Sequence, residues 1–206
     1  NNVKDFYKNA YLFTNSFSVE GGSNEQTSFR ISYTDTRNNS VVKGFNESNK
    51  NNIDLKMSNR LNDYIKLNSK ITFLRQNVNN RQYSNNNGRN PTNLYTHMAR
   101  STSLEELNPY KDSISGREIG THRNFSNPYW VINENPNEDT KDRLIASFNP
   151  EISFTKALKF TGRLSTDMFW WEGYEFNNIG SVVANNPDGF MRTFNTNQQN
   201  LNLEGI

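Results

Sequence analysis

The sequence predicts an all-β fold of about seven antiparallel strands, and two observations predict it. Apolar and polar residues alternate with a period of two in separate short segments, as in strands whose two faces meet different surroundings. The connections between these segments alternate between short and long. Composition agrees, because only 33% of the 206 residues are hydrophobic while 13% are aromatic, so rings are available for burial beside much polar surface.

The alternating segments place apolar side chains on one face only. In chain order they lie at residues 17–20, 28–34, 53–58, 65–73, 144–154, 159–168 and 201–203. Pro150 interrupts the fifth segment. Because proline cannot donate to a strand ladder, we expect a bulge or a locally missing hydrogen bond there.

The connections favour one particular kind of sheet. Those at 21–25, 61–64 and 155–157 are short, whereas those at 37–49, about 79–142 and about 172–199 are long. In an up-and-down sheet, alternate connections lie at the same end, so all short turns share one end and all long loops share the other. Outer-membrane β-barrels have this asymmetry. The sequence therefore predicts a segment of a large transmembrane β-barrel, with a soluble meander as the alternative.

In such a barrel one face of each strand meets lipid and the other lines a wet lumen. Charged side chains on the lipid face would cost up to about 2–4 kcal/mol each near the membrane midplane, which assigns the faces. The predicted lipid-facing residues are Phe29, Ile31, Ile53, Leu55, Ile71, Phe73, Phe160, Leu164 and Trp170. The predicted lumen-facing residues are Arg30, Lys66, Lys70, Glu151, Arg163 and Asp167.

Several segments resemble one known family. Residues 17–23 (FSVEGGS) and 27–33 (TSFRISY) resemble the hairpin of SusC/RagA-type proteins. Residues 127–135 (NPYWVINEN) and 139–145 (DTKDRLI) resemble a second block of that family, and residues 90–100 resemble a short helical piece of an external loop. The order and spacing of these blocks carry the resemblance more than any single block does.

The resemblance implies a TonB-dependent receptor in the outer membrane of a Gram-negative, Bacteroidota-like cell. Residues 1–206 would be part of one barrel domain with a long external loop at about 79–142, and the plug and remaining strands would lie outside this chain. The implied function is nutrient uptake, the import of glycan oligosaccharides or peptides with energy passed through TonB, together with a SusD-like lipoprotein. Two alternatives stay open: a structural scaffold in an outer-membrane assembly, and a soluble all-β carbohydrate-binding module.

Ligand contacts are expected where aromatic, Arg and Asn residues gather near the long loops. The candidates are Arg81, Tyr83, Tyr95, Arg100, Trp130 and Trp171. Packing of the loop is the competing interpretation for Tyr95 and Trp130. Strand parity separates Trp170, expected in an aromatic girdle at the lipid interface, from Trp171, expected to face the lumen.

Nothing in the sequence indicates catalysis. His97 and His122 are the only histidines, there is no Cys, and no nucleotide-binding or nucleophile motif occurs, so we expect structural histidines and no enzyme activity. The acidic residues Glu134, Glu138, Asp139 and Asp142 leave calcium open as the one cofactor, with a solvated loop preferred. No basic stripe indicates nucleic acid.

Overall fold

A single antiparallel sheet contains most of the chain. The computed structural model describes residues 3–23, 26–81, 83, 87–97, 99, 101–120, 124–183 and 188–205. Its seven strands lie in sequence order, which confirms the all-β prediction. They are β1 (Tyr11–Ser23), β2 (Thr27–Asn39), β3 (Glu47–Arg60), β4 (Ile65–Asn79), β5 (Asn137–Ser153), β6 (Lys159–Asn177) and β7 (Phe190–Gly205).

The strands are longer than the alternating segments that predict them, with 13 residues in β1 and 19 in β6. The added residues lie mostly toward the long loops. They are polar in β2, β3 and β5, whereas in β1, β4, β6 and β7 they include apolar or aromatic side chains. The same effect shifts a loop boundary, because β5 begins at Asn137 and the longest loop spans 80–136 instead of about 79–142.

The remaining regular elements are short and lie in or before the long loops. The α-helices are α1 (Asn93–His97) and α2 (Pro128–Glu134), and single 3-10 turns occur at Val3–Phe6 and Glu105–Leu107. Pro128 starts α2, where its missing N–H costs no helical bond. The Asn127 side chain caps this helix by accepting the Tyr129 N–H at 3.0 Å. No helix within the described ranges has the length and apolar character needed to cross a membrane.

The connections are sorted by length, as the sequence predicts. The short turns join β1 to β2, β3 to β4 and β5 to β6, and the longer loops 40–46, 80–136 and 178–189 lie at the opposite end.

The strand register places the two predicted residue sets on opposite faces. Ile53 pairs with Phe73 and, on its other side, with Tyr33 of β2, so apolar side chains form rows across the sheet. Lys56 pairs with Arg30 and Lys70 on the other face. The apolar face is uncovered within the described chain, with Ile53 47% and Ile71 43% exposed.

Pro150 interrupts the ladder without shifting it. Pairing of β5 with β4 continues through Leu67 and Pro150, but pairing with β6 stops at Phe148–Leu164 and resumes at Glu151–Thr161 in the same register. No residue is inserted, so the predicted local loss of bonding occurs and the bulge does not. Gly162 lies opposite, where a Cβ would approach Pro150 Cγ to 3.2 Å.

The buried hydrophobic residues lie mainly at the long-loop end. One cluster contains Phe6, Val42, Phe45 and Val131, and a second contains Leu107 and Phe125. Both pack against Tyr95, Leu104 and Tyr129. The long loops therefore pack together into a cap at one end of the sheet. Away from this cap, no further layer of the described chain covers the sheet.

Candidate ligand-binding pocket

A pocket of about 390 Å³ opens on the polar face of β5 to β7, beneath the long-loop cap. Three predicted ligand-contact residues line it: Arg81, Tyr83 and Trp171. Arg192 and Phe194 of β7 complete its wall. Residues distant in sequence meet here because β6 and β7 pair antiparallel through their full upper lengths.

Two aromatic rings form the floor of the pocket. Trp171 and Phe194 lie on neighbouring strands with ring centroids 4.8 Å apart and planes at 64°, an edge-to-face arrangement. Lys141 Nζ lies 4.7 Å from the Trp171 ring centroid, in a cation–π contact. The register puts Trp171 on the polar face and Trp170 on the apolar face, as strand parity predicts.

Asp139 fixes the Trp171 side of the pocket. Its Oδ1 accepts the Trp171 indole N–H at 3.0 Å and an Arg81 Nη2 hydrogen bond at 2.7 Å. Arg81 Nε also donates to Asp139 Oδ2, so the pair is bidentate. Gly173 opposite permits this close packing, since a Cβ there would meet Asp139 Cβ at 2.8 Å. The start of the long loop is therefore fastened to the sheet.

Glu175 binds two arginines at the side of the pocket away from Trp171. Arg89 and Arg192 each approach one of its carboxylate oxygens at 2.6 Å, and Glu175 is itself buried. The Arg89 guanidinium also stacks 4.4 Å from the Tyr83 ring centroid. Burial raises the pKa of the Tyr83 phenol, and Arg89 partly offsets that rise. Tyr83 therefore stays a neutral phenol at physiological pH.

The pocket's chemistry suits a neutral or weakly charged ligand with one apolar face. Three arginines, Arg81, Arg89 and Arg192, are balanced by three carboxylates, Asp139, Glu175 and Glu138, which also lines the pocket, so no strong field of one sign remains. The rings of Trp171 and Phe194 offer stacking surface. Arg81, the more exposed Arg192 and Thr196 offer polar contacts at the rim. Such a combination can stack on a sugar ring or hold a peptide side chain.

Two other predicted contact residues, Trp130 and Tyr95, lie elsewhere. Trp130 is fully buried and donates its indole N–H to Ser181 Oγ at 2.8 Å. Tyr95 packs against Phe6 at 4.6 Å between ring centroids, and burial raises the pKa of its phenol. For Trp130 and Tyr95, the structure therefore agrees with packing of the loop and not with ligand contact. Arg100 and His122 lie outside the described residues.

His97 has contacts of a structural kind. Its ring stacks on Phe125 at 4.1 Å between centroids. Its Nδ1 lies 2.8 Å from Thr96 Oγ1 and 3.0 Å from the Asn93 carbonyl oxygen.

The predicted acidic cluster is dispersed and is not a solvated loop. Glu134 pairs with Lys111 at 3.0 Å, and Asp142 pairs with Arg75 at 2.7 Å on the face opposite Asp139. Asp139 is buried in its bond to Arg81, and Glu138 shares the face of Asp142. In the described ranges, no three His, Cys, Asp or Glu side chains lie close enough to hold a metal ion.

Glu118 is a third buried carboxylate beside Asp139 and Glu175, and the sequence does not predict it. It accepts the Asn127 N–H at 2.5 Å, the Val182 N–H at 2.6 Å and the Ser126 hydroxyl at 3.3 Å. It thus joins loop 80–136 to loop 178–189. Burial raises the pKa of Glu118 above its ordinary value, and the three hydrogen bonds partly offset this.

The sequence also does not predict several pocket-lining residues, among them Glu175, Arg192 and Phe194. Arg192 and Phe194 share the parity of Trp171's partner Thr196, and extending β7 back to Phe190 would have placed them on the same face. The mostly polar sequence of β7 conceals that extension.

No protein-family model matches this chain, and comparison with curated proteins also gives no match.

Proposed function

We propose that this chain forms part of an outer-membrane β-barrel that imports oligosaccharides or peptides in a TonB-dependent manner, beneath a SusD-like lipoprotein. One observation carries the proposal: the sheet has an uncovered apolar face and a charged face, and its long loops all lie at one end. No chemistry on the cargo is proposed. The pocket beneath the cap would be one place where cargo contacts the lumen wall.

The dimensions of the apolar face support this proposal. From Ile65 to Phe73, β4 rises about 26 Å along its axis, which a strand tilt of about 40° reduces to about 20 Å. The apolar band of outer-membrane barrels is about 25 Å tall. At the long-loop edge the band stops at the Arg75–Asp142 ion pair and Trp170, and at the turn edge it stops at the exposed rings of Tyr64 and Phe154.

A soluble module would have to cover the same band with a further layer. Phe29 and Phe160, which are both 39% exposed, lie within it, so the uncovered area continues across β2 to β6. A contiguous apolar surface of this kind marks an interaction with lipid or protein. The charges of the opposite face explain why lipid on that side would be costly.

Adjacent residues offer a matched test of orientation. Residues 1–206 contain no Cys, so once any Cys elsewhere in the full-length protein is replaced by Ser, Ile71→Cys and Thr72→Cys give two spin-label sites on neighbouring residues that face opposite ways. In proteoliposomes, we expect the label at 71 to collide with lipid-soluble oxygen and the label at 72 with a water-soluble nickel chelate. Equal behaviour of the two labels contradicts the barrel.

Transport itself needs a separate measurement. Cells carrying the full-length protein should accumulate a labelled oligosaccharide or peptide from a defined panel only while TonB is functional. Trp171→Ala should lower uptake, and Trp170→Ala, its neighbour on the other face, should not. A correctly oriented barrel whose deletion changes uptake of no panel member would favour the scaffold role instead.

A further inference from the structure

The pocket beneath the cap offers several hydrogen-bond donors that no described residue uses. Arg81 binds Asp139 through Nε and Nη2, so its Nη1 donates to none of the residues that the structure describes. Arg192 donates to Glu175 through Nη2 only and is 70% exposed, which leaves its other guanidinium N–H groups for a ligand. The Tyr83 hydroxyl is buried and has no hydrogen-bond partner in the described ranges. The pocket therefore suits a ligand that supplies acceptor oxygens.

One cation beside the pocket has no counter-charge. Lys141 lies directly opposite Trp171 on the same face of the sheet, and its Nζ lies 4.7 Å from the indole ring centroid. It forms no ion pair with any residue that the structure describes. The three arginines and three carboxylates at the pocket cancel, so Lys141 leaves a net charge of +1. A ligand with a single negative charge balances this surplus.

Uncharged hydrogen-bonding side chains lead away from the pocket along β7. They are on the same face as Phe194, are all exposed and rise about 20 Å along the strand. We call them the amide row: Thr196, Gln198, Asn200 and Asn202. Amides and hydroxyls both donate and accept, as the hydroxyl groups of a sugar do. The amide row therefore favours an oligosaccharide over a ligand that only the aromatic pair would hold.

We propose that the pocket recognises a uronic acid residue, a sugar ring that carries one carboxylate, within an oligosaccharide. The ring stacks on Trp171 and Phe194, the carboxylate accepts from the free N–H groups of Arg192, and the neighbouring sugars follow the amide row. The assignment rests on the proposed function, because it names the cargo that the lumen wall contacts. Hydrogen bonds from a guanidinium to a carboxylate are charge-assisted and stronger than those to a neutral hydroxyl. An acidic sugar is therefore preferred over its neutral counterpart.

Matched sugars test this preference on the unmutated full-length protein, purified in detergent. The probes are trimers of galacturonate and of glucuronate, and each is compared with the same trimer after reduction of its carboxylates to primary alcohols. The members of each pair share their rings and linkages and differ in charge. In isothermal titration calorimetry, we expect at least one acidic trimer to bind about tenfold more tightly than its reduced form, the effect of one charge-assisted hydrogen bond. Equal affinities within both pairs, no binding of either acidic trimer, or tighter binding of triglutamate overturn the proposal.

Two arginine variants test whether the preference comes from this pocket. Arg192→Gln should lower the affinity for the acidic trimer about tenfold and leave that for the reduced trimer unchanged. Arg163→Gln is the matched control, because Arg163 also pairs with a glutamate between β6 and β7 and is 59% exposed. Its partner Glu204 lies about 40 Å from Arg192 along β7, so the control should keep the full preference. A preference that survives Arg192→Gln, or that both variants reduce equally, contradicts the assignment.

The spin labels at 71 and 72 and the uptake measurement test the proposed function separately. A confirmed TonB-dependent importer that does not prefer the acidic trimers means that the uronic acid assignment alone has failed. A preference that Arg192→Gln abolishes, in a protein whose two labels behave alike, supports the sugar site and contradicts the barrel.

Discussion

Replacement of Asp139 by Asn should loosen the attachment of the longest loop to the sheet. The substitution keeps the shape and one acceptor oxygen, so the Trp171 indole N–H at 3.0 Å can still be accepted. The charge that holds Arg81 in a bidentate pair is lost. Arg81 then keeps its own charge without a partner beside a buried side chain.

The structure sets the size of the effect. Breaking a buried ion pair costs about 3–5 kcal/mol, but the Arg81 side chain is 36% exposed and can rehydrate in part. We therefore expect Asp139→Asn to cost about 2 kcal/mol in local stability, roughly half of the buried-pair value. Local opening of the segment around Asn80 and Arg81, whose backbone pairs with Asn137, should become about 30-fold more frequent.

Hydrogen exchange of the full-length protein in proteoliposomes measures this opening. Asp142→Asn is the matched control, because it makes the same change three residues along the same strand. Its partner Arg75 is 54% exposed, so the pair is worth about 0–1 kcal/mol. Equal acceleration in the two variants would show that burial of Asp139 does not strengthen its pair, and would refute the reasoning.

Three further predictions concern the sheet and the cap. In single-Trp variants of the full-length protein in proteoliposomes, iodide should quench Trp171 more strongly than Trp170, and equal quenching would contradict the assignment of their faces. Because burial raises the pKa of Glu118 above its ordinary 4.5, the closed loops bind its proton more tightly than the open loops do. Loop closure should therefore weaken as the pH rises from about 4.5 through the raised pKa. Exchange in segment 178–183, corrected for its intrinsic pH dependence, should show this weakening, and Glu118→Gln should abolish it. Gly162→Ala should destabilise the protein by about 1 kcal/mol through contact with the Pro150 ring, measured by denaturant unfolding. The loss should shrink in a Pro150→Ala background, and an unchanged loss would show that the ring is not the cause.

Some residues in and near the pocket are predictable from the sequence, and others are not. Parity along one strand was enough to put Trp170 and Trp171 on different faces. The sequence predicts Arg81, Tyr83 and Trp171 as separate candidates, and the structure brings them together. The sequence does not predict Phe194 and Arg192, because the half of β7 next to the long loop is mostly polar and its few apolar residues, Phe190, Met191 and Phe194, do not alternate strictly. The sequence does not predict the burial of Glu118, because a single carboxylate in a polar loop is expected to be solvated unless the fold of that loop is known.

The sequence by itself determined the strand number, the two faces and the sorting of loops by length. Those features follow from period-two alternation and chain connectivity, which are local properties. Only the tertiary structure decided which loop residues are buried and how charges pair across strands. Such pairings depend on the register between segments far apart in the chain: Asp139 meets Arg81 across 58 positions, and Trp130 meets Ser181 across 51. No local pattern encodes contacts of that range, because they form only when the whole sheet has set its register and the cap has folded onto it.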